Sequence, residues 1–105
     1  MYRAVSTHLP FDSRLRNRCL DLLPGFLGSE RDLVTGDFNT TIQNLFLRDF
    51  LLATALRPAG TDEPTHNTGR RIDFVLYREG FREVGYEVTK SFSDRRMIRV
   101  ELEVV

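Results

Sequence analysis

The stretch from Arg96 to Val105 sorts its side chains onto two faces, with Met97, Arg99, Glu101 and Glu103 on one and Ile98, Val100, Leu102 and Val104 on the other. A period of two marks a strand with one face in water and one against a core. It also fixes the register, because a slip of one residue would turn every apolar side chain into solvent. Two further strand-like runs precede it, Arg71 to Tyr77 and Arg82 to Thr89, separated by Arg78-Glu79-Gly80 and by Lys90 to Asp94. The C-terminal third therefore reads as three successive strands, and the rest of the chain must supply what they pack on.

The opening run Tyr2 to Leu9 is rich in β-branched and aromatic residues and stops at Pro10, as a strand would. Asp12 or Ser13 can cap a helix whose Leu15, Cys19, Leu22, Leu23 and Phe26 recur at helical spacing, until Pro24-Gly25 ends or bends it. Asp32 to Thr35 reads as a short buried strand and Gly36 to Asn39 as a turn. Thr40 or Thr41 then caps a second helix reaching about Leu56, so richly apolar that other structure should cover it on several sides. Arg57 to Gly69, with two prolines and two glycines, reads as a long loop. The order β-α-β-α-β-β-β implies an α+β fold, a mixed β-sheet with two helices on one face, in a single domain spanning 1–105.

Acidic and basic residues balance at 15 each, which excludes a strongly basic nucleic-acid binder and leaves substrate preference to local charge. All the basic residues but Lys90 are arginines, which suit bidentate phosphate contacts, although a coding bias explains the same count. Cys19 stands alone, so no intrachain disulfide forms, and with His8 and His66 as the only histidines a zinc cluster is not expected. No run approaches the roughly 20 apolar residues of a membrane span, and the N-terminus shows no secretory leader. A cytoplasmic protein with no membrane partner is expected.

Four segments place reactive groups where chemistry can use them. Ser6-Thr7-His8-Leu9 ends a strand on a histidine able to meet a phosphate oxygen or protonate a leaving group, though such a residue is commonly structural. In Thr35-Gly36-Asp37-Phe38-Asn39 the glycine permits a sharp turn, and Asp37 and Asn39 stand two apart, a carboxylate to orient water and an amide to meet phosphate; an ordinary Gly-Asp turn gives the same pattern. Thr65-His66-Asn67 leads into Arg70-Arg71-Ile72-Asp73-Phe74-Val75-Leu76-Tyr77, where Asp73 stands in an apolar strand at a cost that a metal, a base or one of the arginines must offset. Ser91-Phe92-Ser93-Asp94-Arg95-Arg96 sets Asp94 at the start of the last strand, where it can approach a divalent cation or cap the strand.

Thr-His-Leu, Gly-Asp-Phe-Asn, Arg-Ile-Asp-Phe-Val-Leu and Ser-Asp-Arg before a terminal strand, in that order and over essentially the whole chain, resemble the C-terminal half of the endonuclease/exonuclease/phosphatase superfamily. The resemblance implies half of a DNase I-like α/β sandwich and a metal-dependent phosphoester hydrolase, its substrate a phosphoester that includes nucleic acid among the options. By the same resemblance His8 contacts the phosphate or assists the leaving group, Asp37 aligns the attacking water with Asn39 beside it, Asp73 orients the base, and Asp94 lies close to a magnesium ion.

Two departures from the family pattern follow. Arg95 occupies the place of the final histidine and cannot accept a proton, so the base is vacant and Asp73 is free to pair with Arg95. The family's N-terminal half, with its asparagine and metal-binding glutamate, has no counterpart before Tyr2, so magnesium binding by this chain is expected to be weak. The expected function is thus a phosphoester hydrolase domain that either needs a missing N-terminal half or is impaired, retaining weak activity in which Asp37 and Asp94 hold a hydrated magnesium and Arg95 steadies phosphate charge. The alternative is a non-catalytic remnant serving as a phosphate-ligand or protein-interaction module, with Arg95 and Arg70 foremost among its phosphate contacts, joined by Arg71 and Arg96. A half-fold should also expose an apolar sheet face, from which a homo-oligomer or a complementing N-terminal half is expected.

Overall fold

The computed structural model describes residues 3–105; Tyr2, expected in the first strand, lies outside them. The elements are β1 (Arg3–His8), α1 (Ser13–Leu22) with a 3-10 turn (Leu23–Phe26), β2 (Asp32–Asp37), α2 (Leu45–Thr54), β3 (Arg57–Pro58), β4 (Asp73–Tyr77), β5 (Phe81–Thr89) and β6 (Met97–Val104). The Asp12 carboxylate accepts the Leu15 amide at 3.0 Å, satisfying one of the orphan donors that begin α1.

The second helix starts later than Thr40 or Thr41. Asn39 takes a left-handed φ of 49° and the Asn44 amide bonds the Thr41 carbonyl at 3.0 Å, so residues 40–44 close as a turn. Asn44 is the cap, its side-chain oxygen accepting the Leu47 amide at 3.1 Å, and the helix ends where Ala55 turns left-handed. Nor is α2 covered on several sides, since Leu47 and Phe50 are buried while Leu45, Phe46 and Leu52 face solvent.

The main sheet runs β1-β2-β4-β3, with β1 parallel to β2 and the other pairs antiparallel, a mixed sheet as the element order implied. The short β3 stands inside the expected loop, pairing Arg57 with Tyr77 and Pro58 with Leu76. Successive side chains alternate across this sheet. Val34, Phe74 and Leu76 turn toward both helices and pack with Leu20, Phe38, Leu47 and Phe50, and Phe38 meets Phe74 edge to face with centroids 5.6 Å apart.

Leu33, Val75 and Tyr77 turn the other way and meet Phe81, Tyr86, Val100 and Leu102. These belong to β5 and β6, which pair with each other as a two-stranded ribbon. The fit is close at Gly60, where an added Cβ would lie 2.4 Å from the Tyr86 ring. The ribbon corrects the expectation of an exposed apolar sheet face, because the chain covers that face with its own last two strands. What stays open on that side is the β1 edge, where Ala4, Ser6 and His8 are exposed and small or polar.

At the opposite end of the sheet Asp32 is buried. Its carboxylate accepts the amides of Gly28 at 2.6 Å and Ser29 at 2.9 Å and is gripped by Arg3 through Nε at 3.0 Å and Nη2 at 3.2 Å. Burial alone would raise its pKa, but the two backbone donors and the Arg3 guanidinium outweigh burial and hold it below the usual carboxylate range.

Candidate functional site

The site forms where β1 and β2 end side by side, with His8 opposite Asp37, and where β4 begins, with Asp73 opposite Asp37. Glycine is required just before this point. Gly36 has φ +141°, and a Cβ there would lie 1.8 Å from the Thr7 carbonyl oxygen, so any side chain would force β1 away and separate His8 from Asp37. Beyond the strands the Phe38 amide bonds the Ile72 carbonyl at 2.8 Å, which carries the pairing past the two acids.

Three charged groups and a histidine converge here. Arg95 Nη1 lies 2.9 Å from Asp73 Oδ1 and 3.1 Å from Oδ2, while its Nη2 lies 2.5 Å from Asp37 Oδ2. His8 Nε2 approaches the same Asp37 oxygen at 3.3 Å, with the His8 side chain largely exposed. Asp37 Oδ2 is enclosed, and Arg95 and His8 both reach it. Asp37 Oδ1 accepts the Asn39 amide at 2.8 Å, and the Asn39 side chain donates to the Leu9 carbonyl at 2.6 Å. Asn39 thus ties the turn to β1 and aims its amide at the backbone rather than at the cleft.

Asp73 sits on a hydroxyl to which sequence reasoning gave no role of its own. Thr65 is fully buried, and its Oγ1 accepts the Ile72 amide at 3.0 Å and the Asp73 amide at 3.1 Å. Burial raises the pKa of Asp73, and the neighbouring Asp37 charge adds to this; the guanidinium of Arg95 and the Thr65 hydroxyl oppose the shift without cancelling it. Arg95 is pushed further up from its already high value, since the pull of Asp73 and Asp37 exceeds the cost of burial. Two carboxylates face one guanidinium, and both terminal nitrogens of Arg95 are occupied by them.

Asp94 lies apart from this cluster. Its side chain is exposed and meets His66 Nε2 at 3.2 Å, while His66 Nδ1 accepts the Thr68 amide at 3.2 Å. That acceptor role puts the ring proton on Nε2, facing Asp94. The backbone stitches the same segments together, through the Asn67 amide to the Asp94 carbonyl at 2.9 Å and the Arg96 amide to the Thr65 carbonyl at 2.9 Å. These bonds hold the 65–69 loop against the start of β6, from which Arg95 reaches the two acids. Arg70 is exposed and outside the cluster, and Arg71 is buried, donating to the Ala59 carbonyl. The signal for Thr65 and His66 was their place just before the Arg-Ile-Asp run, but nothing local says that a threonine there will underpin an aspartate eight residues on.

The structure therefore brings together His8, Asp37, Asn39, Asp73 and Arg95 and leaves out Asp94 and Arg70. A mixed sheet with helices on one side, a ribbon on the other and acids at the strand ends defines half of an α/β sandwich. The family model of the Endonuclease/Exonuclease/phosphatase family matches residues 8–95, and the chain belongs to that family. Among solved structures it is similar to one described as a functionally unknown conserved protein from Enterococcus faecalis V583, with TM-score 0.72 and 16% identity over 97% of this chain and 50% of that one. The chain spans half the length of that structure, and at this identity the likeness is one of fold. No curated protein matches the sequence.

The family acts on phosphoester bonds and is generally metal-dependent. The residues present do not fit a metal by themselves. Among the described residues no three His, Cys, Asp or Glu side chains converge as a ligand set, Asp37 and Asp73 face a guanidinium, and Asp94 faces a histidine. Among the described residues no helix is long and apolar enough to cross a membrane.

Proposed function

We propose that these residues form the C-terminal half of a phosphoester hydrolase site, silent by itself and completed by groups from outside this chain. The observation that carries this reading is Arg95, bridging Asp37 and Asp73 at 2.5 and 2.9 Å in the position where the family keeps a base. A guanidinium cannot take the proton of an attacking water. It also satisfies the two carboxylates that a cation or a water molecule would otherwise engage. In this reading His8, exposed and steadied by Asp37, meets the phosphate or the leaving group, and Asp37 and Asn39 shape the turn beneath it. The magnesium donors come from the completing half, with Asp94 at the edge of the site.

A complementing half is favoured over self-association through the sheet, because the β5–β6 ribbon already covers the apolar part of that face. Cys19, unpaired and half-buried, suits a reducing cytoplasm. The same double ion pair favours a second reading, a non-catalytic module that retains the fold for binding.

The test is magnesium-dependent hydrolysis of bis(p-nitrophenyl) phosphate by the chain alone and after co-expression with the polypeptide encoded directly upstream. The expected result is no turnover above a mock preparation for the chain alone, and turnover in the complemented sample that Asp37→Asn abolishes. Turnover by the chain alone that depends on Asp37 would overturn the claim of silence. A complemented sample without activity would decide for the non-catalytic module.

A further inference from the structure

Beside the acid cluster lies a cavity of about 280 Å³ between the turn after Asn39 and the segment before Asp73, lined by Thr41, Gln43, Asp62, Gly69, Arg70 and Arg71 together with Ile42. We propose that it is an anion subsite for a second phosphate, adjacent to the phosphate that His8 and Asp37 would meet. This rests on the phosphoesterase reading for its place in the reaction, and on the chemistry of the cavity for its ligand.

Charge carries the argument. Arg71 is buried with only 8% of its side chain exposed, yet its one carboxylate neighbour among the described ion pairs is Asp62 at 3.7 Å, and that side chain is 93% exposed. An exposed acid is hydrated and screened and compensates a buried cation poorly. The remaining contacts of Arg71 are neutral, a bond to the Ala59 carbonyl, ring faces at 5.0 Å on Phe74 and 6.0 Å on Tyr86 and the Tyr86 hydroxyl, and its Nε is enclosed without a hydrogen-bond acceptor. Arg70, beside it, is exposed and its side chain has no hydrogen-bond or ion-pair partner among the described residues. Two guanidinium groups and one loosely held carboxylate leave the cavity with excess positive charge. Thr41 and Gln43, which also line the cavity, bring a hydroxyl and an amide to it.

Size and place narrow the ligand. The cavity is at or below the small end of ligand pockets, which begin at roughly 300 Å³, and suits a phosphate group with its ester oxygens rather than a whole nucleoside. Thr41 stands two residues past Asn39 and Arg71 two before Asp73, and the bond from the Phe38 amide to the Ile72 carbonyl at 2.8 Å ties the two walls together next to the acids. The substrate class this implies carries neighbouring phosphates, as a nucleotide chain or a polyphosphorylated small molecule does, and not an isolated phosphomonoester.

Amide chemical shifts of the nitrogen-15-labelled protein, titrated with inorganic phosphate against chloride at matched ionic strength, read the subsite without any turnover, so a catalytically silent protein does not spoil the test. The amides of Thr41, Gln43, Gly69 and Arg70 should move and saturate. Arg70→Ala should weaken the binding about tenfold or more, as expected for loss of a charge-assisted bond. Arg18→Ala, the same charge change on the exposed side of α1, should leave it unchanged, and Arg70→Lys guards against a folding defect by retaining part of it. Absence of shifts at these four amides, or equal loss with Arg18→Ala, would overturn the proposal. A dinucleotide and inositol hexakisphosphate, titrated in the same way, distinguish the two sources: the one that moves both Arg70 and His8 spans subsite and cluster. If neither moves His8, the cavity is not a subsite of that cluster and the proposal falls.

Discussion

Replacing Arg95 by alanine removes the one cation that, among the described residues, reaches both Asp37 and Asp73. Those acids are cross-strand partners, with Asp37 buried and Asp73 mostly so, and the variant leaves two like charges side by side on one sheet face. Breaking a fully buried ion pair costs about 3–5 kcal/mol, whereas exposed pairs contribute about 0–1. The Arg95 side chain is 38% exposed, so water screens part of its effect, and the loss should fall between these limits at about 2–3 kcal/mol near neutral pH. For a domain of this size that lowers Tm by roughly 10–20 °C.

Acid should reverse part of the loss. Burial already raises Asp73, and without Arg95 it would rise further, so its folded-state pKa would stand still further above the unfolded one. Groups shifted that way impose a penalty that grows as pH rises through the folded pKa and vanishes below the unfolded value near 4. The gap between wild type and Arg95→Ala should therefore narrow steadily from pH 7 toward pH 4, and Arg95→Ala/Asp73→Asn should recover much of it at pH 7. Urea unfolding at several pH values measures this. A difference within about 0.5 kcal/mol at pH 7, the size of an ordinary surface substitution, or a gap that does not change with pH, would mean that the guanidinium does not hold the two acids together.

Gly36→Ala places a Cβ 1.8 Å from the Thr7 carbonyl oxygen at a φ that L-residues avoid, and should cost at least about 3 kcal/mol or abolish soluble expression, as thermal unfolding would show. Asp32→Asn removes a carboxylate held by two amides and Arg3 and should cost about 3 kcal/mol at pH 7. Because the Asp32 pKa is lowered on folding, its contribution is present above the unfolded value near 4 and is lost as pH falls through the folded pKa, so wild type and Asp32→Asn should converge in acid; unchanged separation there would refute the assignment.

Much of the fold was legible because it is written locally. The alternation from Met97 to Leu102 and the Asp12 cap depend on neighbours a few residues away, and both are present in the structure, whereas the turn expected from Gly36 begins only after Asp37, because β2 carries Gly36 and Asp37 into the sheet. The start of α2 was not legible, because Thr40, Thr41 and Asn44 are all competent caps and the left-handed Asn39 decided between them. A period-two pattern says that one face is buried but not against what, so the sequence is equally consistent with β5 and β6 extending the sheet or folding back over it. Packing of Tyr86 and Val100 on Val75 and Tyr77 settled that question in three dimensions.

The same division runs through the site. The identity of Arg95 determined by itself that no proton acceptor stands at that position, since a guanidinium stays charged at any pH a protein survives. Where its charge goes was a tertiary matter: Asp73 lies 22 residues away in the chain and Asp37 farther still, and only strand pairing together with the clamp between the 65–69 loop and β6 brings all three within bonding distance. Coulomb energy depends on distance in space, and sequence order does not specify that distance until the chain has folded.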